Sequence, residues 1–129
     1  MMGAIIGDIA GSVYEYRTCK SIECELFSPA AMFTDDSVLT VATADVLMYG
    51  GSYTDVYQHY GRRFPDAGYG AQFHHWIFSE NAAPYNSWGN GSAMRVSPIG
   101  LALSSLEELP PDLLEVVDEF NDKYPMSGE

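Results

Sequence analysis

The sequence predicts an all-α protein, a compact helical bundle, on three observations. Apolar residues recur at helical spacing in several segments. Ser, Thr, Pro and acidic residues stand where those segments begin, as helix entries require. No pair of alternating apolar–polar runs is joined by a hairpin turn, so nothing argues for a sheet. A chain of 129 residues that is 47% hydrophobic suits one domain, residues 1–129, built on one core.

The elements follow in order. Gly3 to Tyr16 is apolar with small residues, the pattern of a buried helix that neighbours approach closely. Ser37 to Tyr49 carries Val38, Leu39, Val41, Ala42, Val46 and Leu47 on a broad apolar face. Ser52-Tyr53-Thr54-Asp55 reads as a capping box ahead of a helix over Val56 to Phe64. Tyr69 to Phe78 is a short aromatic segment, and Ala93 to Ser105 is helical with Pro98 either kinking it or delaying its start. The clearest pattern lies last, in Pro110 to Tyr124. There Leu113, Val117, Phe120 and Tyr124 share one face opposite an acidic one, behind two prolines at the entry.

Charge narrows the functional classes. Six Lys and Arg stand against eighteen Asp and Glu, a net charge of −12. Wrapping a nucleic-acid backbone draws on cations that are scarce here, so no such partner is expected. The excess is uneven: residues 1–100 hold ten acids and five bases, whereas residues 101–129 hold eight acids and Lys123 alone. No run approaches the roughly 20 apolar residues of a membrane span. The start, Met1 to Val13, lacks a basic front and is interrupted by Asp8, unlike a secretory signal. The expectation is a cytoplasmic protein, not bound to a membrane, with Cys19 and Cys24 as reduced thiols.

Two segments carry candidate chemistry. In Phe33-Thr34-Asp35-Asp36-Ser37, adjacent carboxylates flanked by hydroxyls are hard oxygen donors of the kind that Mg2+, Mn2+ or Ca2+ prefers. The same residues also read as a helix entry, with Thr34 as N-cap and two acids complementing the dipole. In Tyr85-Asn86-Ser87-Trp88-Gly89-Asn90-Gly91-Ser92-Ala93-Met94-Arg95, glycines free the backbone to turn N–H groups towards an anion. A helix starting at Ser92 or after would add its positive end, and Arg95 a charge-assisted contact. Tyr85 and Trp88 offer flat faces for a base or sugar; a glycine-rich turn with packed aromatics is the plainer alternative. Asp8 and Glu15, seven apart on the first helix, fall on roughly one face. Glu15 is the candidate positioned base, and Asp8 a structural hydrogen-bonder. His59, His74 and His75 are read as surface or packing residues.

Together these segments resemble the ADP-ribosylglycohydrolase family, including its dinitrogenase reductase-activating glycohydrolase branch. Three stretches carry the resemblance in order: Gly3 to Glu15, Phe33 to Ser37, and Gly89 to Arg95. Tyr60 to Phe64 and Ala67 to Gly70 add to it. Residues 1–106 resemble the family's N-terminal part and 107–124 its closing helix. The resemblance implies an all-α fold holding two divalent cations, Mg2+ or Mn2+, beside ADP-ribose. It assigns Thr34, Asp35 and Asp36 to the first metal cluster, and Glu15, Asp35 and Asp36 to the reaction centre. It assigns the wall that grips ADP-ribose to Tyr85, Ser87, Trp88, Gly89, Asn90, Gly91, Ser92 and Arg95.

The activity so implied is hydrolysis of the glycosidic bond between ADP-ribose and a modified protein side chain or small molecule. Water attacks the anomeric carbon through an oxocarbenium-like state, with metal and acid assisting. The family's late Asp-x-Asp cluster has no counterpart, because no Asp-x-Asp occurs in the sequence. At most half of the metal shell is therefore visible. Two alternatives follow: a non-catalytic ADP-ribose-binding remnant, and a homodimer that completes its site from a second copy.

Overall fold

The computed structural model describes residues 1–103. Among them are five α-helices and no strand: α1 (Met2–Gly11), α2 (Asp35–Tyr49), α3 (Tyr53–Arg63), α4 (Ala71–Ile77) and α5 (Ser97–Ala102), with a 3-10 turn at Ser12–Tyr14 after α1. The protein is all-α, as its periodicity predicts. None of these helices is long and apolar enough to cross a membrane. The segment 107–124, expected as a closing helix, lies outside the described residues.

α2 is the axis of the assembly, in contact with α1, α3 and α5. Its residues Ser37 to Thr40, Ala42 to Ala44 and Val46 are all buried, so it is enclosed on nearly every side rather than along one stripe. Leu39 is only 2% exposed and Ala42 not at all; enclosing a side chain like Leu39 contributes about 1.5–3 kcal/mol. Two of its buried hydroxyls find carbonyl acceptors, one within the helix and one outside it. Thr43 Oγ1 lies 2.7 Å from the Leu39 carbonyl, and Thr40 Oγ1 donates to the Met94 carbonyl at 3.3 Å.

α3 crosses between α2 and α4, and its sequence explains how closely. A Cβ on Gly61 would stand 2.7 Å from Ile77 Cδ1, inside any tolerable contact, so glycine is what lets Ile77 reach 0% exposure. α4 is short, and α3 side chains serve its open C-terminal carbonyls. Gln58 Nε2 donates to the carbonyls of Trp76 and Ser79 at 3.0 and 2.8 Å, and Arg62 Nε to that of Ile77 at 2.9 Å.

Several boundaries differ from the periodicity. α2 starts two residues earlier than expected, because Thr34 caps it by accepting from the Asp36 N–H; Asp35 and Asp36 thus form its first turn. α3 starts at Tyr53 instead of Val56, since Ser52 Oγ accepts from the Asp55 N–H. Pro98 sits in the first turn of α5, so it delays the helix and does not kink it. α1 is shorter than the expected Gly3–Tyr16 helix and has no buried residue, with Met2 68% and Ile6 47% exposed. Its apolar content reads as a core signal in sequence, but only its last turns meet the start of α2.

The cysteines also correct an expectation. Cys19 and Cys24 are disulfide-bonded and not reduced thiols, with Cα atoms 6.3 Å apart, a separation that a bridge accommodates. The turn between them brings them together, with Ser21 Oγ accepting from the Glu23 N–H at 3.1 Å.

Candidate functional site

The site is assembled by Asp8, in the last turns of α1. Its carboxylate accepts from the Thr34 N–H at 2.8 Å, the Thr34 hydroxyl at 2.5 Å and the Ser37 N–H at 3.1 Å. The first N–H groups of a helix lack partners within it, and here α1 supplies an anion to that end of α2. Thr34 Oγ1 in turn accepts from the Asp36 N–H at 3.3 Å. The helix-entry reading of Thr34 therefore holds, and Asp8 has the structural role expected of it. Ser12 continues the tie, its Oγ accepting from the Met32 N–H at 3.1 Å and donating to the Ile9 carbonyl at 2.9 Å.

Asp8 is committed to hydrogen bonds, and the acids that burial perturbs are Asp35 and Asp36. The Asp35 N–H donates to the Ala67 carbonyl at 2.7 Å, fastening the start of α2 to the turn before α4. Gly68 in that turn has φ +94°, a conformation that other residues rarely adopt; a Cβ there would meet Asp35 Oδ1 at 4.0 Å. Half-burial, and then the like charge of Asp36, push the Asp35 carboxyl up to about 6. Its own backbone N–H opposes the rise, while Glu15 and Asp8 add to it. Asp36 is raised too, by burial and then by Asp8. Tyr69 is pushed up to about 12 by burial and by the Asp35 charge, and its hydroxyl is buried with no hydrogen-bond partner among the described residues.

These acids line an open cleft of about 1180 Å³. The catalytic, metal and ligand-wall candidates read from sequence all line it: Glu15, Thr34, Asp35 and Asp36, together with Tyr85, Ser87, Trp88, Gly89, Asn90, Gly91, Ser92 and Arg95. Glu15 lies just past the 3-10 turn, not on α1 itself, and is exposed. Tyr53, Tyr57, Phe73 and Trp76 also line the cleft. Periodicity marks these aromatics only as packing residues, because nothing in the sequence relates them to a loop some 10–40 positions away. Trp76 Nε1 donates to the Ala83 carbonyl at 3.0 Å, steering the chain towards Tyr85. His59, His74 and His75 are exposed and none lines the cleft.

The glycine-rich segment differs from its expectation. Among the described glycines only Gly50, Gly51 and Gly68 have positive φ, so Gly89 and Gly91 adopt ordinary backbone angles. No helix starts at Ser92; the chain runs through turns and α5 begins only at Ser97. The cation in this segment is the side chain of Arg95. Its guanidinium lies over the Tyr57 ring, 4.6 Å from the centroid.

A divalent cation suits this donor set in kind. Asp35 and Asp36 are hard oxygen donors whose mutual repulsion a cation would relieve. The number is short: among the described residues no three His, Cys, Asp or Glu side chains group to hold an ion, against about six oxygens for an octahedral shell.

The sequence model of the ADP-ribosylglycohydrolase family matches residues 1–120. The chain belongs to the ADP-ribosylglycohydrolase family. Among its relatives, ADP-ribosylhydrolase ARH3 of Bos taurus is 30% identical over 145 positions, covering 84% of this chain and 40% of the relative. The human protein of that name gives the same identity and coverage, and the Mus musculus protein is 28% identical over 84% of this chain and 39% of its own length. This member of the family thus spans about 40% of the length of the curated relatives it matches. The 145 matched positions exceed its 129 residues, so the relatives carry residues inside the matched stretch with no counterpart here. No solved structure matches the chain.

Proposed function

We propose that this chain binds ADP-ribose in the cleft between α1, the start of α2 and the Tyr85–Arg95 segment, and hydrolyses its bond to a modified side chain or small molecule. The observation that carries the reading is convergence. Three stretches far apart in sequence line one cleft, which brings together the acids at the start of α2, the cation of Arg95 and several aromatic faces. A sugar nucleotide has the matching order of groups: ribose hydroxyls for the acids, a diphosphate for Arg95 and N–H groups, a base for Tyr85 or Trp88.

In this reading Glu15, exposed on the cleft wall, takes the proton of the water that attacks the anomeric carbon. Asp35 and Asp36, with the Thr34 hydroxyl, are the residues that would hold Mg2+ or Mn2+. When bound, such an ion supplies positive charge against which ribose hydroxyls are polarised. Asp8 positions all three by fixing the Thr34 backbone and hydroxyl.

The test is release of ADP-ribose from ADP-ribosylated arginine or serine, with and without Mg2+ or Mn2+. Metal-dependent release supports hydrolysis; none at high protein and metal overturns it for this chain. A second reading, a binder without turnover, is favoured by the short donor set and the 40% span of the relatives. Calorimetric titration with ADP-ribose separates it from an inert remnant, since only the binder gives saturable heat.

A further inference from the structure

Arg95 is the single Lys or Arg among the described residues lining the cleft, whose lining also includes Asp8, Glu15, Asp35 and Asp36. An anion entering this field meets four carboxylates and one cation, so the placement of that cation decides where the anion lies. An unrestrained arginine would be drawn towards the acids. Here it is held by two anchors that both trace back to α2.

The first anchor is the backbone: Thr40 Oγ1 donates to the carbonyl of Met94, the preceding residue, at 3.3 Å. The second is the side chain. The Arg95 guanidinium sits 4.6 Å from the Tyr57 ring centroid, within the range of a cation–π contact. The Tyr57 hydroxyl is 2.8 Å from Thr43 Oγ1, and Thr43 is itself 1% exposed and 2.7 Å from the Leu39 carbonyl. The ring is thus fixed by a buried partner on the helix whose first turn carries Asp35 and Asp36. The charge of Arg95 also reaches Tyr85, opposing the upward push of burial on that phenol.

We propose that Tyr57, locked by Thr43, is a positioning residue that holds the Arg95 guanidinium at a fixed distance from the α2 carboxylates to receive the diphosphate of the ligand. The proposal rests on the ADP-ribose reading for its ligand but not for its geometry. One rigid helix sets both ends of the cleft: its start presents the acids, and its middle, through Thr40, Thr43 and Tyr57, fixes the cation. Tyr57 contributes a π-face and a locked hydroxyl, and its own contact with ligand is not required.

The experiment uses the full chain and four variants: Tyr57→Phe, Tyr57→Leu, Arg95→Gln, and Arg95→Gln combined with Tyr57→Leu. Two readouts are taken. In the free protein, the Arg95 Nε–Hε NMR resonance should be shifted by the ring in the native chain and less so in Tyr57→Phe, which keeps the ring but loses the contact with Thr43. It should move to its ordinary position in Tyr57→Leu. With ligand, titration calorimetry compares ADP-ribose with adenosine, which lacks the diphosphate. Arg95→Gln should weaken ADP-ribose about tenfold or more, and Tyr57→Leu about two- to fivefold. The double variant should be no weaker than Arg95→Gln, and adenosine should be unaffected throughout.

An unmoved Arg95 resonance in Tyr57→Leu overturns the positioning role whatever the ligand data show. So do additive losses in the double variant, or an equal loss for adenosine. If the native chain binds no ADP-ribose while the resonance behaves as described, the ADP-ribose reading falls and the Tyr57–Arg95 pairing stands.

Discussion

Replacing Asp35 by asparagine should make the protein more stable at neutral pH while removing the charge on which cation binding depends. Asp35 is half-buried at the start of α2, and its carboxyl is raised from 3.8 to about 6 by burial and then by the neighbouring Asp36. A folded-state value above the unfolded one means that the folded protein holds the proton more tightly. Its stabilising contribution is therefore complete below pH 3.8 and is lost as pH rises through about 6. The difference of about 2 units corresponds to a ceiling of about 3 kcal/mol. Solvent screening at a half-exposed group reduces this to about 1 kcal/mol.

Loss of the carboxylate's favourable interaction with its own N–H is already within the net shift, because that contribution lowers the value. The Asp35→Asn variant should thus raise Tm by roughly 3–6 °C at pH 7.5, with the advantage shrinking towards zero near pH 4. Thermal unfolding by circular dichroism at the two pH values measures it. A second arm adds Mn2+: native protein should gain thermal stability and the variant should not. An Asp35→Asn protein no more stable than native at pH 7.5, or equally stabilised at both pH values, would refute the account of Asp35 as a strained anion.

Asp8→Ala should lower stability by about 2–4 kcal/mol, since it strands two N–H groups and a hydroxyl at the start of α2; an unchanged urea midpoint would sink the role of Asp8 as a cap supplied by α1 to α2. Gly61→Ala gains about 1 kcal/mol of helix propensity, but its Cβ would meet Ile77 at 2.7 Å in a site with no slack. The net expectation is a loss of about 1–2 kcal/mol, and a stabilised variant would show that α3 and α4 are not so tightly packed. Trp88 is 101% exposed, so Trp88→Ala should leave stability within about 0.5 kcal/mol. The same change should weaken ADP-ribose about fivefold or more if the indole stacks on the base; calorimetry decides, and unchanged affinity would remove Trp88 from the binding wall.

Local chemistry is readable where short-range rules govern it. Thr34 and Ser52 show as caps because an N-cap needs only a hydroxyl two or three residues ahead of its N–H partner. The acids at 35 and 36 and the Gly89–Arg95 segment stand out through residue type and spacing alone. Exposure of α1 does not, because an apolar stretch looks the same whether or not a neighbour covers it. Nor does the cysteine pairing, which depends on a turn at Ser21 that spacing leaves open. Tyr57 looks like a packing residue in sequence because its partner Arg95 lies 38 positions later.

Composition and periodicity thus determined that the chain is helical, where most helices lie, and which side chains could hold a cation or a diphosphate. Only the tertiary structure decided that Asp8 is consumed as a cap, that Asp35 and Asp36 are part-buried beside each other, and that Arg95 rests on Tyr57. The physical reason is range. Capping and periodicity act within one or two turns, whereas the burial and like-charge repulsion that set a carboxylate's proton affinity depend on segments the fold alone brings together.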